Sequence, residues 1–239
     1  MRIVLTGGGT GGHVMPFESI IEALRTIHVQ KDGDLEIYFL GVTTPEGEAL
    51  FKKYDVPTVH ISSGKRRRYF SLKNIVDAIY YLPLGIGMAL WNMWKIMPDA
   101  VVSKGGYASV PTCLAAVFYR IPILLHESDV VPGSANMFLA RFASAITLGF
   151  AVAREYFSAW PKKLFVTGTP IRMFVSANQK TQAKQSFGLS PEQPVLLVMG
   201  GSQGAQQINE SLLACIADVV EYTAVIHITG QEHYEPVTK

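Results

Sequence analysis

The sequence predicts an α/β protein in which a complete doubly wound parallel sheet is followed by the start of a second one. Three observations support this fold class. The apolar run 3–5 is followed by the glycine-rich turn 7–12 and then by a helix-like segment. Strand-like and helix-like segments alternate as far as residue 167, and the order strand, glycine turn, helix returns at 195–220. This alternation is typical of parallel sheets, because parallel neighbours need a crossover between them.

The turn after the first strand reads Gly-Gly-Gly-Thr-Gly-Gly-His and ends at His13. Glycines let backbone N–H groups approach a ligand, and the following helix presents its positive end, so the turn predicts a phosphate site. The spacing of Gly7, Gly9 and Gly12 also fits a dinucleotide fingerprint. The acid that this fingerprint expects after the second strand is not evident, so we rank nicotinamide binding lower. The His13 imidazole either transfers a proton or caps the helix, and spacing leaves both open.

The hydrophobic pattern gives the order of the other elements. In the first domain it predicts helices over 16–26, 47–54 and 112–120, a helix that reaches 140, and strands over 36–40, 56–61, 99–103, 121–129, 145–148 and 163–167. The polar stretch 175–194 predicts a domain junction with a short helix. After the junction the pattern predicts two strands, 195–199 and 224–228, with a helix over 208–220 between them.

Composition and cysteine spacing argue against a disordered chain, a nucleic-acid-binding protein, a cysteine metal site and a secreted protein. With 239 residues, of which 49% are hydrophobic, the chain can build a real core. A net charge of +2 gives no argument for nucleic acid as a partner. Cys113 and Cys215 lie in apolar helical contexts without metal-ligand spacing, so we expect buried free thiols in a reducing compartment. The N-terminal residues run straight into a strand without a signal-peptide pattern, which favours the cytoplasm.

A dense basic cluster at 62–70 precedes an apolar, aromatic-rich segment at 75–95. Polar residues, proline and glycine interrupt the apolar segment, which argues against a membrane span. Two interpretations remain: a surface that rests on an anionic membrane, or a buried helix pair after a solvated loop. We favour the membrane surface. The residues predicted to make it are Arg66, Arg67, Arg68, Ile79, Leu82 and Trp91.

Polar side chains follow two neighbouring strands of the predicted sheet. Tyr107 comes after the strand 99–103, and His126, Glu127 and Asp129 end the next strand. Ligands of open parallel sheets bind outside the carboxyl ends of the strands, so these residues are candidates for a site. Glu127 has an alternative role, as a charge that orients His126 or caps a loop, but we favour the functional one.

A series of motifs, in chain order, resembles one glycosyltransferase family. The motifs are Gly8 to His13, Gly105-Gly106-Tyr107, His126-Glu127, Pro132-Gly133 with Asn136, Gly168 to Arg172, and Gly200 to Ala205. Two nucleotide-type domains that face each other across a cleft describe the GT-B architecture. Within it, the whole chain resembles the MurG family.

The resemblance implies an inverting hexosyl transfer in peptidoglycan synthesis. Members of the family move N-acetylglucosamine from UDP-N-acetylglucosamine to lipid I, which is undecaprenyl-diphospho-N-acetylmuramoyl-pentapeptide, and so make lipid II. It further implies that the protein uses no metal or cofactor and lies peripherally on the cytoplasmic face of the cell membrane. Residues 1–167 would form the acceptor-binding and membrane-associating domain, and residues 168–239 the first part of the UDP-sugar-binding domain.

The resemblance also gives roles to the candidate residues. His13 is the implied base for the acceptor hydroxyl and Glu127 a second candidate, and Thr10, Gly11 and Gly12 would line the cleft. A guanidinium with hydroxyl and backbone donors suits a departing diphosphate without a metal. The other predicted substrate contacts are Tyr107, His126, Asp129, Asn136, Arg172, Ser202 and Gln203.

Three residues, at two places in the chain, depart from the family pattern. Ser128-Asp129 stands where the family has Gln-Asn, which puts a carboxylate near the donor sugar, where it would repel a diphosphate. Thr169 stands where the family has Asn. Two other functions stay open: a membrane-surface subunit that binds a polyprenyl-diphosphate glycolipid beside a separate donor-binding chain, and a dinucleotide-dependent oxidoreductase, which would need NAD binding that we do not expect.

Overall fold

The computed structural model describes residues 1–8, 11–29, 34–63, 80–171, 177–201 and 204–235, with the backbone alone for residues 11, 13 and 177–179. Contacts divide the chain into two compact units, Met1–Met173 and Phe174–Lys239. The expected boundary between the acceptor and donor domains, after residue 167, stays a prediction.

The first unit contains a seven-stranded sheet in the order β3-β2-β1-β4-β5-β6-β7. All neighbouring strands pair in parallel. The strands are β1 Arg2–Thr6, β2 Glu36–Gly41, β3 Thr58–His60, β4 Ala100–Ser103, β5 Ile123–Glu127, β6 Ala145–Leu148 and β7 Leu164–Val166. The order runs outward in both directions from β1 and β4, which is the doubly wound arrangement. The predicted α/β fold class is therefore confirmed.

Helices connect the strands at positions close to the predicted ones. They are Gly11–Val14, Phe17–Val29, Pro45–Lys53, Leu82–Ile96, Val110–Phe118 and Ser134–Leu139, together with 3₁₀ turns at Tyr107–Ser109, Ala151–Phe157 and Pro161–Lys163. The helix predicted from residue 47 begins earlier, because the Gly47 N–H donates to the Thr44 hydroxyl (3.3 Å) and Pro45 suits the first turn.

The two faces of the sheet carry separate hydrophobic clusters. Ile3 and Leu5 pack with Phe39 on one face, whereas Val4 packs with Leu125 on the other. Side chains of a strand alternate between faces, so a buried strand is apolar at every position. This is why the run 3–5 shows no polar alternation.

The Leu82–Ile96 helix lies against the Val110–Phe118 helix. Its buried side is narrow and made of small or flexible residues, Gly85, Ala89 and Met93. Because these residues recur every four positions, they form one stripe along the helix.

The opposite side of the Leu82–Ile96 helix is apolar but exposed. Leu84 is 47% exposed, Trp91 55% and Trp94 56%. The two indole rings stack with their centroids 5.3 Å apart, and the Lys95 ammonium lies 4.9 Å from the Trp91 ring centroid. Leu82 is half-buried and packs against the core. Within the described residues, no helix combines the length and apolarity that crossing a membrane requires.

The second unit contains two parallel strands, β8 Val195–Met199 and β9 Ala224–Ile228. The helix Ala177–Ser186 precedes them, and Gln206–Leu213 and Ile216–Val219 lie between them. The prediction of one continuous helix over 208–220 is wrong, because the backbone leaves helical geometry at Cys215 (φ −126°, ψ 5°).

The two cysteines differ in environment. Cys113 is fully buried and unpaired with another cysteine, so the predicted buried free thiol is confirmed, and burial raises the pKa of this thiol to about 12. The same prediction is wrong for Cys215, which is exposed. The helix ends at Leu213, so Cys215 does not follow Leu212 onto the buried side.

Candidate active site

The carboxyl ends of β1 and β4 are neighbours at the point where the strand order reverses, where open parallel sheets bind their ligands. The chain leaves β1 through Gly8, which has a φ of 124°. A Cβ at Gly8 would lie 1.6 Å from the Val42 carbonyl oxygen, so this turn requires glycine. After β4, the Lys104 backbone N–H donates to the Thr6 carbonyl oxygen (2.9 Å) and joins the two strand ends.

The predicted phosphate turn reaches into the short helix Gly11–Val14. Gly12 is exposed there, and the backbone of His13 lies one residue further along. The orientation of the His13 side chain is not described, so its role stays a prediction. The other predicted residues that lie outside the described part of the chain are Thr10, Arg66, Arg67, Arg68, Ile79, Arg172, Ser202 and Gln203.

Glu127 ends β5 with its side chain almost fully buried. The Asp129 N–H donates to Glu127 Oε1 (2.9 Å), and the Gly133 N–H donates to Oε2 (3.1 Å). Asn136 Nδ2 also donates to Oε2 (2.8 Å). These bonds end the strand two residues earlier than predicted, because the carboxylate takes a backbone donor that a ladder would use. Glu127 thus holds the turn 129–136 in place, and its candidate role as a base stays a prediction.

Asn136 joins Glu127 to the glycine pair after β4. It is 3% exposed, and its Oδ1 lies where a Cβ at Gly105 would come within 2.0 Å. Oδ1 is a buried acceptor without a partner among the described residues. A buried amide oxygen without a hydrogen-bond donor lowers the stability of the fold, unless a ligand or a water donates to it. Asn136 is therefore placed to accept a hydrogen bond at this edge.

Lys104 is a member of this cluster that sequence reasoning missed. Its side chain is 1% exposed, and its ammonium donates to Ser128 Oγ (3.0 Å). Burial lowers the pKa of Lys104 to about 8, although Glu127 and Asp129 favour the charged form. One feature of the sequence could have indicated that Lys104 belongs to the site: this lysine stands directly between an apolar strand and two glycines.

His126 lies beside Lys104 on the neighbouring strand, since the register pairs Ser103 with Leu125. Its Nδ1 shares a hydrogen bond with Thr147 Oγ1 (2.8 Å). Its Nε2 is buried without a partner among the described residues. Burial, and then the Lys104 charge, lowers the pKa of His126 to about 4. The imidazole is therefore neutral at pH 7, and its environment disfavours the imidazolium form.

The remaining predicted residues divide into two groups. Asp129 is exposed at the rim of the Glu127 turn, and Tyr107 begins the Tyr107–Ser109 turn beyond β4. Leu82 and Trp91 belong to the Leu82–Ile96 helix. Within the described ranges, no three His, Cys, Asp or Glu side chains are grouped so that they could hold a metal ion.

The second unit has a comparable glycine turn after β8. Gly204 has a φ of 77°, and a Cβ there would lie 1.9 Å from the Thr229 carbonyl oxygen. The buried Asn209 side chain donates to the same carbonyl oxygen (3.0 Å), and His227 Nε2 lies 2.9 Å from Asn209 Oδ1. The helix after the turn is thereby joined to the end of β9.

The strand order defines a Rossmann-like, doubly wound α/β protein with a polar cluster at its switch point. The fold is similar to that of MurG from Acinetobacter baumannii, with a TM-score of 0.65, 24% identity, and coverage of 99% of this chain and 62% of that one. It is also similar to UDP-GlcNAc 2-epimerase from Neisseria meningitidis bound to UDP-GlcNAc, with a TM-score of 0.67 and 14% identity, covering 100% of this chain and 68% of that one.

Sequence comparison gives the family. Residues 3–148 match the glycosyltransferase family 28 N-terminal domain, and residues 195–239 match its C-terminal domain. The chain belongs to glycosyltransferase family 28, which agrees with the resemblance of its motifs to a glycosyltransferase family.

Curated relatives of the chain carry a specific name. The UDP-N-acetylglucosamine–N-acetylmuramyl-(pentapeptide) pyrophosphoryl-undecaprenol N-acetylglucosamine transferase 3 of Bacillus thuringiensis (strain Al Hakam) is 38% identical over 96% of this chain. The corresponding transferase of Legionella pneumophila (strain Lens) is 38% identical, also over 96%. The chain spans 63% of the first relative's length and 61% of the second's.

Proposed function

We propose that this chain supplies the acceptor domain and part of the donor domain of an inverting transferase, which moves N-acetylglucosamine from UDP-N-acetylglucosamine to undecaprenyl-linked lipid I and makes lipid II. The observation that carries the proposal is the match to both domains of glycosyltransferase family 28. A relative that is named as this N-acetylglucosamine transferase is 38% identical to the chain. The sheet edge at the β1 and β4 ends supports it, because that edge combines a glycine turn with buried polar groups and open parallel sheets bind ligands in a crevice there.

The reaction needs a proton removed from the acceptor hydroxyl and charge stabilised on the departing UDP. His13 is the proposed base, since it follows the glycine turn at the switch point. Glu127 is the second candidate, but three N–H donors already engage its carboxylate, which favours a role in holding the turn. In the donor domain, Arg172, Ser202 and Gln203 are the proposed contacts of the UDP-sugar. We propose no metal or organic cofactor.

An assay of UDP release tests this function. The complete protein, incubated with UDP-N-acetylglucosamine and a lipid I analogue, is expected to release UDP only when both are present. NAD is the control ligand and is expected not to bind. Absence of release with both substrates would contradict the proposal. Binding of the lipid analogue by this chain, with release only after a second chain is added, would instead support the glycolipid-binding subunit.

The proposal includes peripheral attachment to the cytoplasmic face of the cell membrane. Its support is the exposed stack of Trp91 and Trp94 with Lys95 beside it, since indole rings and basic side chains suit the headgroup region of an anionic bilayer. Arg66, Arg67 and Arg68 would add attraction to anionic lipids. Their joint replacement by Ser should weaken binding to phosphatidylglycerol vesicles, most at low salt. Equal vesicle binding by both proteins would remove the basic cluster from this surface.

A further inference from the structure

Within the described part of the chain, the buried ammonium of Lys104 makes fewer hydrogen bonds than it has donors. The residue is 1% exposed, yet the one hydrogen bond that its ammonium makes to a described residue goes to Ser128 Oγ (3.0 Å). An ammonium has three N–H donors, and a buried charge is stable only when it is paired and hydrogen bonded. A lysine with a purely structural role would bring its other donors to acceptors. The placement of Lys104 therefore needs another explanation.

The surrounding charges provide that explanation. Glu127 and Asp129 are the acidic groups that act on Lys104, and the neutral His126 lies beside it on β5. The Glu127 carboxylate is satisfied by three N–H donors, two from the backbone and one from Asn136. Asp129 is exposed at the rim of the same turn. Of the two acids, Asp129 is thus the one that a ligand bound at this edge would meet.

We propose that Lys104 is a positioning residue, whose buried ammonium holds the Ser128–Asp129 turn and balances the Asp129 charge so that a substrate diphosphate can enter the crevice beside that carboxylate. The proposal rests on the proposed transferase function, in which both substrates carry a diphosphate. An uncompensated carboxylate at the rim would repel that group, and the low dielectric around Lys104 strengthens the compensation. The departure from the family pattern at 128–129 and the lysine at 104 then form one electrostatic unit.

The charge balance has a defined pH dependence. Lys104 is charged below its pKa of about 8 and loses its proton above it. The apparent KM for a diphosphate substrate is therefore expected to rise as the pH increases through 8. His126 does not contribute in this range, because its pKa is about 4.

A double-mutant cycle in the complete protein tests the balance. Lys104→Met is expected to raise the KM of at least one diphosphate substrate about tenfold, with a smaller change in kcat. In an Asp129→Asn background, Lys104→Met should raise KM less than about threefold. The Asp129→Asn protein itself should no longer show the increase of KM above pH 8. Separate titrations of UDP-N-acetylglucosamine and the lipid I analogue identify which diphosphate is involved. Lys162→Met, which removes an exposed lysine outside the crevice, is the matched control.

Two results would overturn the proposal: unchanged KM values in Lys104→Met, or an equal rise in both backgrounds. If Lys104→Met does not fold, Lys104→Arg keeps the charge and should retain most of the affinity. A second measurement does not depend on activity. In ¹³Cε-lysine NMR titrations, Asp129→Asn should lower the pKa of Lys104, and an unchanged pKa would contradict the pairing. Should the wild-type protein release no UDP, the transferase function fails, while this titration still decides the charge pair.

Discussion

Asn136 occupies the space that a side chain at Gly105 would need. A Cβ at Gly105 would lie 2.0 Å from Asn136 Oδ1, while Asn136 Nδ2 donates to the Glu127 carboxylate (2.8 Å). The glycine after β4 and the acid that ends β5 are therefore joined through one amide. This contact explains why two motifs that are far apart in the chain form one edge of the crevice.

Replacing Gly105 by Ala should destabilise the protein. The residue has a φ of 79°, and the added Cβ would displace the Asn136 amide, so we expect a loss of about 2 kcal/mol or more in the free energy of unfolding. Urea unfolding measures the change. Gly87→Ala is the matched control, because a Cβ there meets nothing within 4 Å and alanine favours a helix. If Gly105→Ala changed the free energy of unfolding no more than Gly87→Ala does, the contact between Gly105 and Asn136 would be refuted.

Glu127→Gln should also lower stability, by about 1–3 kcal/mol, because an amide NH₂ would face backbone and side-chain donors. The exposed Glu155→Gln is its control. Unfolding free energies of the two variants give the comparison. In the complete protein, kcat then distinguishes the two roles of Glu127. If Glu127 is the base, the Glu127→Gln variant should lose almost all turnover. If Glu127 holds the turn, the variant should lose stability and keep most of its turnover.

Stability should depend on pH through His126. Its pKa is about 4 in the folded protein and about 6.5 when unfolded, so the unfolded state binds more protons between these values. The free energy of unfolding should therefore fall as the pH decreases from 6.5 to 4, by up to about 3 kcal/mol from this group. Urea unfolding at pH 4.5 and 7.5 measures it, and His126→Asn should show a smaller fall. Identical pH slopes for the two proteins would be inconsistent with a buried neutral imidazole.

Substitution of Trp91 and Trp94 by Ser should reduce binding to anionic vesicles at low and high salt alike, because the indoles contribute apolar burial and not charge. Flotation with phosphatidylglycerol vesicles measures the bound fraction. Phe118→Ser is the control, since Phe118 is also exposed, at 71%, but belongs to another helix. Equal losses in both proteins would show that the effect is not specific to the tryptophan stack.

His13→Ala in the complete protein should lower kcat much more than the affinity for UDP-N-acetylglucosamine. A base acts in the transition state and contributes about 10²–10⁴-fold to the rate. Steady-state kinetics with the donor varied separates the two quantities. Unchanged turnover would assign His13 the helix-capping role that its spacing also allows.

Local patterns were sufficient for most of the fold. The apolar run in β1 and the glycines after it predict strand and turn because their causes, burial and backbone freedom, act within a few residues. Boundaries were less predictable where a side chain bonds to a backbone group. Thr44 moves the start of one helix, and Glu127 moves the end of β5.

The grouping of the site required the tertiary structure. His126, Glu127 and Asp129 were predictable as a group because they are close together in the chain, at and just after the end of β5. Lys104 was not, since its importance comes from a contact with Ser128 across two strand ends. The sequence by itself determined the parallel α/β order, the family and the position of the glycine turns. Only the packed structure decided which charges are buried together and which acid is already satisfied, because burial and pairing depend on neighbours that are distant in the chain.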